Sequence, residues 1–107
     1  MKGMELIANH RTSSEKSIER YLCKQLAILG LMCYKTYNPN DTGMPDRLII
    51  LPAGKVVWAE IKSEGERPSP LQAYRFDTLR MAGHDVHVID SKEKADELLE
   101  TIKTRIL

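Results

Sequence analysis

The stretch from Arg47 to Lys62 limits the possible folds more than any other part of this sequence. Two short runs rich in apolar and β-branched residues, Arg47 to Leu51 and Val56 to Lys62, flank Pro52-Ala53-Gly54-Lys55. Strand-forming runs on either side of a Pro/Gly turn predict a β-hairpin. Side chains alternate along a strand, so Val57, Ala59 and Ile61 face one way and Val56, Trp58, Glu60 and Lys62 the other. Glu60 and Lys62 therefore share a face. Asp46, which opens the first run, falls at the open end of the hairpin, level with both.

The rest of the chain builds around this hairpin. A helix is expected from about Thr12, because Ile18, Leu22, Leu26 and Leu29 form an amphipathic stripe and Gly30 closes it. Met32 to Tyr37 reads as a first strand, ended by the turn-rich Asn-Pro-Asn-Asp-Thr-Gly. After a polar loop from Ser63 to Pro68, Ser69 and Pro70 supply the cap and first residue of a helix that runs to Ala82 and stops at Gly83. Val86 to Ile89 is a short fourth strand. It follows a helical crossover and is expected to pair in parallel with an earlier strand. Ser91 caps a last helix that buries Ala95, Leu98, Leu99 and Ile102. The order is αβββαβα, an α/β fold with a mixed sheet flanked by helices. Residues 1–11 read as a loose arm and residues 12–107 as a single domain.

A chain of 107 residues suits one domain with a real core, and 42% hydrophobic with 29% charged residues argues against disorder. The net charge of +1 gives no general pull toward nucleic acid, so binding there would need a local basic surface. Cys23 and Cys33 lack any CxxC or Cys/His spacing and read as free buried thiols of a reducing compartment. The first residues lack a signal-peptide apolar region, and no run approaches a membrane span. An intracellular, cytoplasmic protein is expected.

Asp46, Glu60 and Lys62 carry the chemistry. Two carboxylates suit a hard divalent cation such as Mg²⁺ or Mn²⁺, which can neutralise charge on a phosphate. The main-chain carbonyl of Ile61 lies between the two charged side chains and offers a further oxygen ligand. A lysine alongside can orient a water or stabilise developing negative charge. Glu-x-Lys alone is often only a solvated charge pair on an exposed strand, and it is the linked Pro-Asp that shifts the reading.

The combination Gly43-Met44-Pro45-Asp46, Glu60-Ile61-Lys62 and downstream Pro68-Ser69-Pro70-Leu71-Gln72 resembles the PD-(D/E)xK nuclease superfamily, with its restriction-endonuclease-like αβββαβ core. More narrowly, it resembles the VRR-NUC family, the virus-type replication-repair nuclease domain, over about Glu15 to Ile89. The resemblance implies a Mg²⁺- or Mn²⁺-dependent DNA endonuclease. Asp46 and Glu60 would be its metal ligands, Lys62 its catalytic lysine, and Gln72 the residue that holds the lysine or the attacking water. A simple solvated first-turn role is the alternative for Gln72.

The first helix of such domains supplies another acid, and Glu19 is expected in that role. Glu15 is held in reserve, because Thr12-x-x-Glu15 has the form of a capping box. The resemblance also implies a phage or prophage setting in a bacterial host, branched or four-way junction DNA as substrate, and a resolvase-like homodimer. The C-terminal helix, with Leu98, Leu99, Ile102, Ile106 and Leu107, is one candidate dimer surface, although packing within the domain is the commoner use of such a stripe. Lys35, Arg47, Arg67 and Arg75 are the expected phosphate contacts, and Lys55 and Arg80 are further basic residues nearby. Tyr34 and Tyr37 read as core or sheet-face residues, and His10, His84 and His87 have no metal-ligand spacing. Two other readings stand beside this one. A non-catalytic DNA-binding module on the same fold would be expected to lose one of the three charged residues, and a restriction-type endonuclease would need extra recognition elements.

Overall fold

The same apolar periodicities appear as packed elements in a computed structural model, which describes residues 14–36 and 43–106. The expected arm, Tyr37, the turn before Gly43 and Leu107 lie outside the described residues. The elements are α1 (Glu15–Ile28), β1 (Met32–Lys35), β2 (Arg47–Ile50), a 3₁₀ turn (Pro52–Gly54), β3 (Val56–Ile61), α2 (Pro70–Met81), β4 (Asp85–Ile89) and α3 (Lys92–Ile106). The order is the expected αβββαβα.

Each helix starts where a hydroxyl can satisfy a backbone donor. Ser14 caps α1 by accepting from the Ser17 N–H at 3.0 Å. Glu15 is the first helical residue, and Thr12, its expected capping-box partner, lies outside the described residues. Gly30, at φ 77°, ends the helix in the left-handed conformation that costs glycine nothing. Ser91 accepts from the Lys94 N–H at 3.1 Å at the start of α3.

The four strands lie in the order β1-β2-β3-β4. β1–β2 and β2–β3 pair antiparallel, and β4 joins β3 in parallel after the α2 crossover. The register places Cys33, Ile49 and Val57 in one row across the sheet, with Ala59 and Ile61 on the same face. Helices α1 and α3 cover this face, and Ile18, Leu22, Leu26, Ile49, Val57, Ala59 and Ile102 are wholly buried there. Each such aliphatic side chain contributes about 1.5–3 kcal/mol by leaving water. α2 packs against β4 on the opposite face through Phe76, leaving Met32, Tyr34 and Ile50 exposed toward the β1 edge.

The apolar stripe of α3 is consumed in this core. Leu98, Leu99 and Ile102 are buried within the domain and Ile106 packs against the same cluster, so among the described residues this helix offers no apolar face to a second copy. No helix among the described residues is long and apolar enough to cross a membrane.

An ion-pair network ties α3 back to the sheet. Arg105 Nη2 lies 2.6 Å from Asp85 Oδ2, and His87 stands on the other side of the same carboxylate. Burial works against the charged form, but the Arg105 hydrogen bond and the His87 charge outweigh it and lower the Asp85 pKa from its ordinary 3.8. A carboxylate with a depressed folded-state pKa stabilises the fold above its unfolded pKa and loses that effect as pH falls through the folded value. Asp85→Asn is expected to cost about 0.5–1 kcal/mol at neutral pH, discounted for solvent screening. Urea midpoints should show that gap closing below about pH 3.8, as wild-type Asp85 itself becomes protonated.

Candidate active site

The β2–β3 ladder ends at the Arg47–Ala59 pair, and beyond it side chains replace the backbone partners. The Asp46 N–H donates to Glu60 Oε1 at 3.1 Å, and the Ile61 N–H donates to Asp46 Oδ2 at 3.1 Å. Each carboxylate therefore accepts a main-chain hydrogen bond from the opposite strand. Lys62 Nζ lies 3.4 Å from Glu60 Oε2. The expected triad is assembled at one sheet end.

Several local features hold Asp46 in place. The Thr36 N–H donates to the Asp46 carbonyl at 2.8 Å, and the Thr36 hydroxyl donates to the Pro45 carbonyl, so β1 anchors this turn. Pro45 is buried. Gly43, at φ 103°, runs close to α2: a Cβ there would lie 3.1 Å from Leu71 Cγ and 3.2 Å from Arg75 Cγ. A glycine is needed both for the backbone conformation and for the approach.

Gln72 is neither simply solvated nor in contact with the lysine, and its side chain makes two kinds of contact. Its Oε1 accepts from the Ser69 N–H at 2.9 Å, and its own N–H donates to Ser69 Oγ at 3.2 Å, completing a capping box. Its Nε2 donates to Glu60 Oε2 at 2.9 Å. The amide holds the glutamate rather than the lysine. A glutamate at this position could keep the cap but would turn a second negative charge on Glu60.

Glu60 is only 2% exposed. Burial, and then the charge of Asp46, raise its pKa to about 7, while Lys62 and the Asp46 N–H oppose the shift. This pair of oxygen donors is short of positive charge, which is the condition a hard divalent cation relieves. Among the described residues no group of three or more His, Cys, Asp or Glu side chains is arranged to hold a metal. A cation would therefore rest on two carboxylates completed by main-chain or solvent oxygens.

Glu19, the expected first-helix acid, stands in an ion pair. Glu19 Oε2 lies 2.9 Å from Arg47 Nε, and Arg47 also donates to the Cys33 carbonyl at 3.1 Å. The guanidinium, on the α1 side of β2, pairs with Glu19 there. Glu15 lies within reach of the same charges: burial and the Asp46 charge raise its pKa, and Lys62 opposes them.

The expected phosphate contacts divide in the same way. Arg47 is paired in this clasp, Arg67 is exposed on the loop before α2, and Arg75 is half-buried beside Gly43. Lys35 lines an open cavity of about 310 Å³ with Lys16, Glu19, Arg20, Cys23 and Arg47. Lys16 and Arg20 were not singled out in the sequence; their i, i+4 spacing on the exposed face of α1 was the available signal. Arg80 donates to the Val86 carbonyl at 2.9 Å, and Trp58 Nε1 donates to His84 Nδ1 at 3.1 Å, both within the fold. Tyr34 is exposed on the open sheet face.

Comparison with known proteins agrees with this architecture. A protein of Acyrthosiphon pisum secondary endosymbiont phage 1, named "Putative nuclease p44", is 40% identical over 83 residues, 78% of this chain and 89% of the relative. A solved structure described as a VRR_NUC domain superposes with a TM-score of 0.76 at 28% identity, covering 82% of this chain and 97% of the other. No family model matches the chain.

Proposed function

Because the chain belongs to the VRR-NUC nuclease family, we propose that it hydrolyses phosphodiester bonds of DNA in a reaction that depends on Mg²⁺ or Mn²⁺. The observation that carries this reading is the convergence of Asp46, Glu60 and Lys62 at one end of the sheet. Asp46 and Glu60, with the Ile61 carbonyl, would hold the cation. When bound it would supply Lewis acidity and neutralise charge on the scissile phosphate. Lys62, fixed beside Glu60, orients the attacking water or stabilises the charge that develops in the transition state. Gln72 keeps the Glu60 carboxylate turned toward Asp46. Glu15 serves as the first-helix acid in place of Glu19, which supports α1 through Arg47.

The proposed substrate is branched or junction DNA. Lys16, Arg20 and Lys35 line an open basic cavity that suits phosphates, so shape and phosphate contacts would govern selection. The same reading gives a homodimer, whose two active sites could nick opposite strands of a symmetric junction. Its apolar contacts would have to come from elsewhere than the buried stripe of α3. A bacterial cytoplasm would be the setting of such a phage-type enzyme.

The test uses labelled duplex, flap and four-way junction DNA with Mg²⁺, Mn²⁺ or EDTA. Cleavage is expected with either metal and none with EDTA, with the junction cut faster than the duplex. DNA binding without cleavage in any divalent metal would instead assign the chain to the non-catalytic modules. Light scattering should give the mass of two chains.

A further inference from the structure

Cys23 on α1 and Cys33 on β1 are ten positions apart in sequence, yet their Sγ atoms are 3.3 Å from each other. Both are half-buried rather than buried as expected, and neither is bonded to another cysteine. The two thiols differ in access. Cys23 lines the basic cavity with Lys16, Glu19, Arg20, Lys35 and Arg47, whereas Cys33 is not part of that lining and packs against the core. We propose that Cys23 and Cys33 form a reactive dithiol, with Cys23 the attacking thiol and Cys33 the resolving one, which a hydroperoxide closes into a disulfide between α1 and β1.

The assignment rests on geometry and charge. Of two thiols in contact, the accessible one lined by basic side chains is the one whose thiolate is favoured. The Cys33 contact, and then Arg47, lower the Cys23 pKa to about 7, with burial and Glu19 opposing. The same contact, with burial, raises that of Cys33. The chemistry balances in two steps. The Cys23 thiolate attacks one peroxide oxygen, the O–O bond breaks, hydroxide leaves, and Cys23 becomes a sulfenic acid. The Cys33 sulfur then attacks the Cys23 sulfur; its proton and the departing hydroxyl leave as water and the S–S bond forms. Two thiols are oxidised and one hydroperoxide is reduced, giving two waters when the oxidant is hydrogen peroxide. This inference does not depend on the nuclease reading.

With only two cysteines in the chain the test is unambiguous. The reduced protein is treated with one equivalent of hydrogen peroxide, alkylated and digested. The expected products are loss of both alkylatable thiols in the monomer and a single Cys23–Cys33 cross-linked peptide, reversed by a phosphine reductant. The folded chain should close at least about ten-fold faster than the same chain in urea, because the fold holds the sulfurs in contact. In Cys33→Ser, Cys23 should stop at the sulfenic acid and be trapped by dimedone; in Cys23→Ser, Cys33 should stay largely reduced. Two free thiols after treatment, cross-links only between chains, or equal rates in urea would overturn the proposal.

Discussion

Replacing Lys62 by methionine is expected to lower the rate of metal-dependent DNA cleavage by about 10²- to 10⁴-fold while leaving DNA binding nearly unchanged. Methionine keeps the length and apolar character of the stem, so the loss isolates the ammonium. The side chain is only 18% exposed and held 3.4 Å from Glu60, where, on the proposed function, charge would accumulate in the reaction. Its removal has a second, opposite consequence. Lys62 counters the raised pKa of Glu60, so the variant leaves Asp46 and Glu60 less compensated and should bind a divalent cation no more weakly than wild type. Single-turnover cleavage at saturating metal, with metal affinity measured separately, distinguishes these effects. An unchanged turnover rate would remove Lys62 from the chemistry, and a loss rescued by more metal would make it a binding residue instead.

Leu22→Ala should have the largest effect on folding. Leu22 is fully buried midway along α1, between Ile18 and Leu26, where the helix meets the sheet and α3. Truncating a leucine in such a place costs about 2–5 kcal/mol, through lost transfer energy and the cavity left behind. That is a large share of the ~5–15 kcal/mol that holds a typical domain together. Urea titration should show a much lower midpoint with little change in slope. Met81→Ala is the matched control: at 88% exposed its side chain loses almost nothing, and a shift within about 0.5 kcal/mol is expected.

The hairpin, its alternation and the level of Asp46 with Glu60 were legible because all three are local: a turn of four residues sets the register, and the register sets the faces. The parallel fourth strand followed from connection length alone. What escaped the sequence depended on groups far apart in it. Glu15 and Glu19 sit one turn apart on α1, and what Glu19 meets depends on Arg47, which reaches across from β2 to pair with it. Thr12, Ser13 and Ser14 are all plausible caps by type, and Ser14 caps because the helix packs from Glu15 onward. The meeting of Cys23 and Cys33 is set by how α1 folds back over β1 after Gly30, and no spacing rule encodes that.

The double duty of Gln72 links two levels of organisation that are usually separate. One carboxamide both starts a helix and holds an acid, so fraying of the opening turn of α2 and release of the Glu60 carboxylate are one event. On the proposed function, competence would be tied to the first turn of a helix, the part that frays most readily.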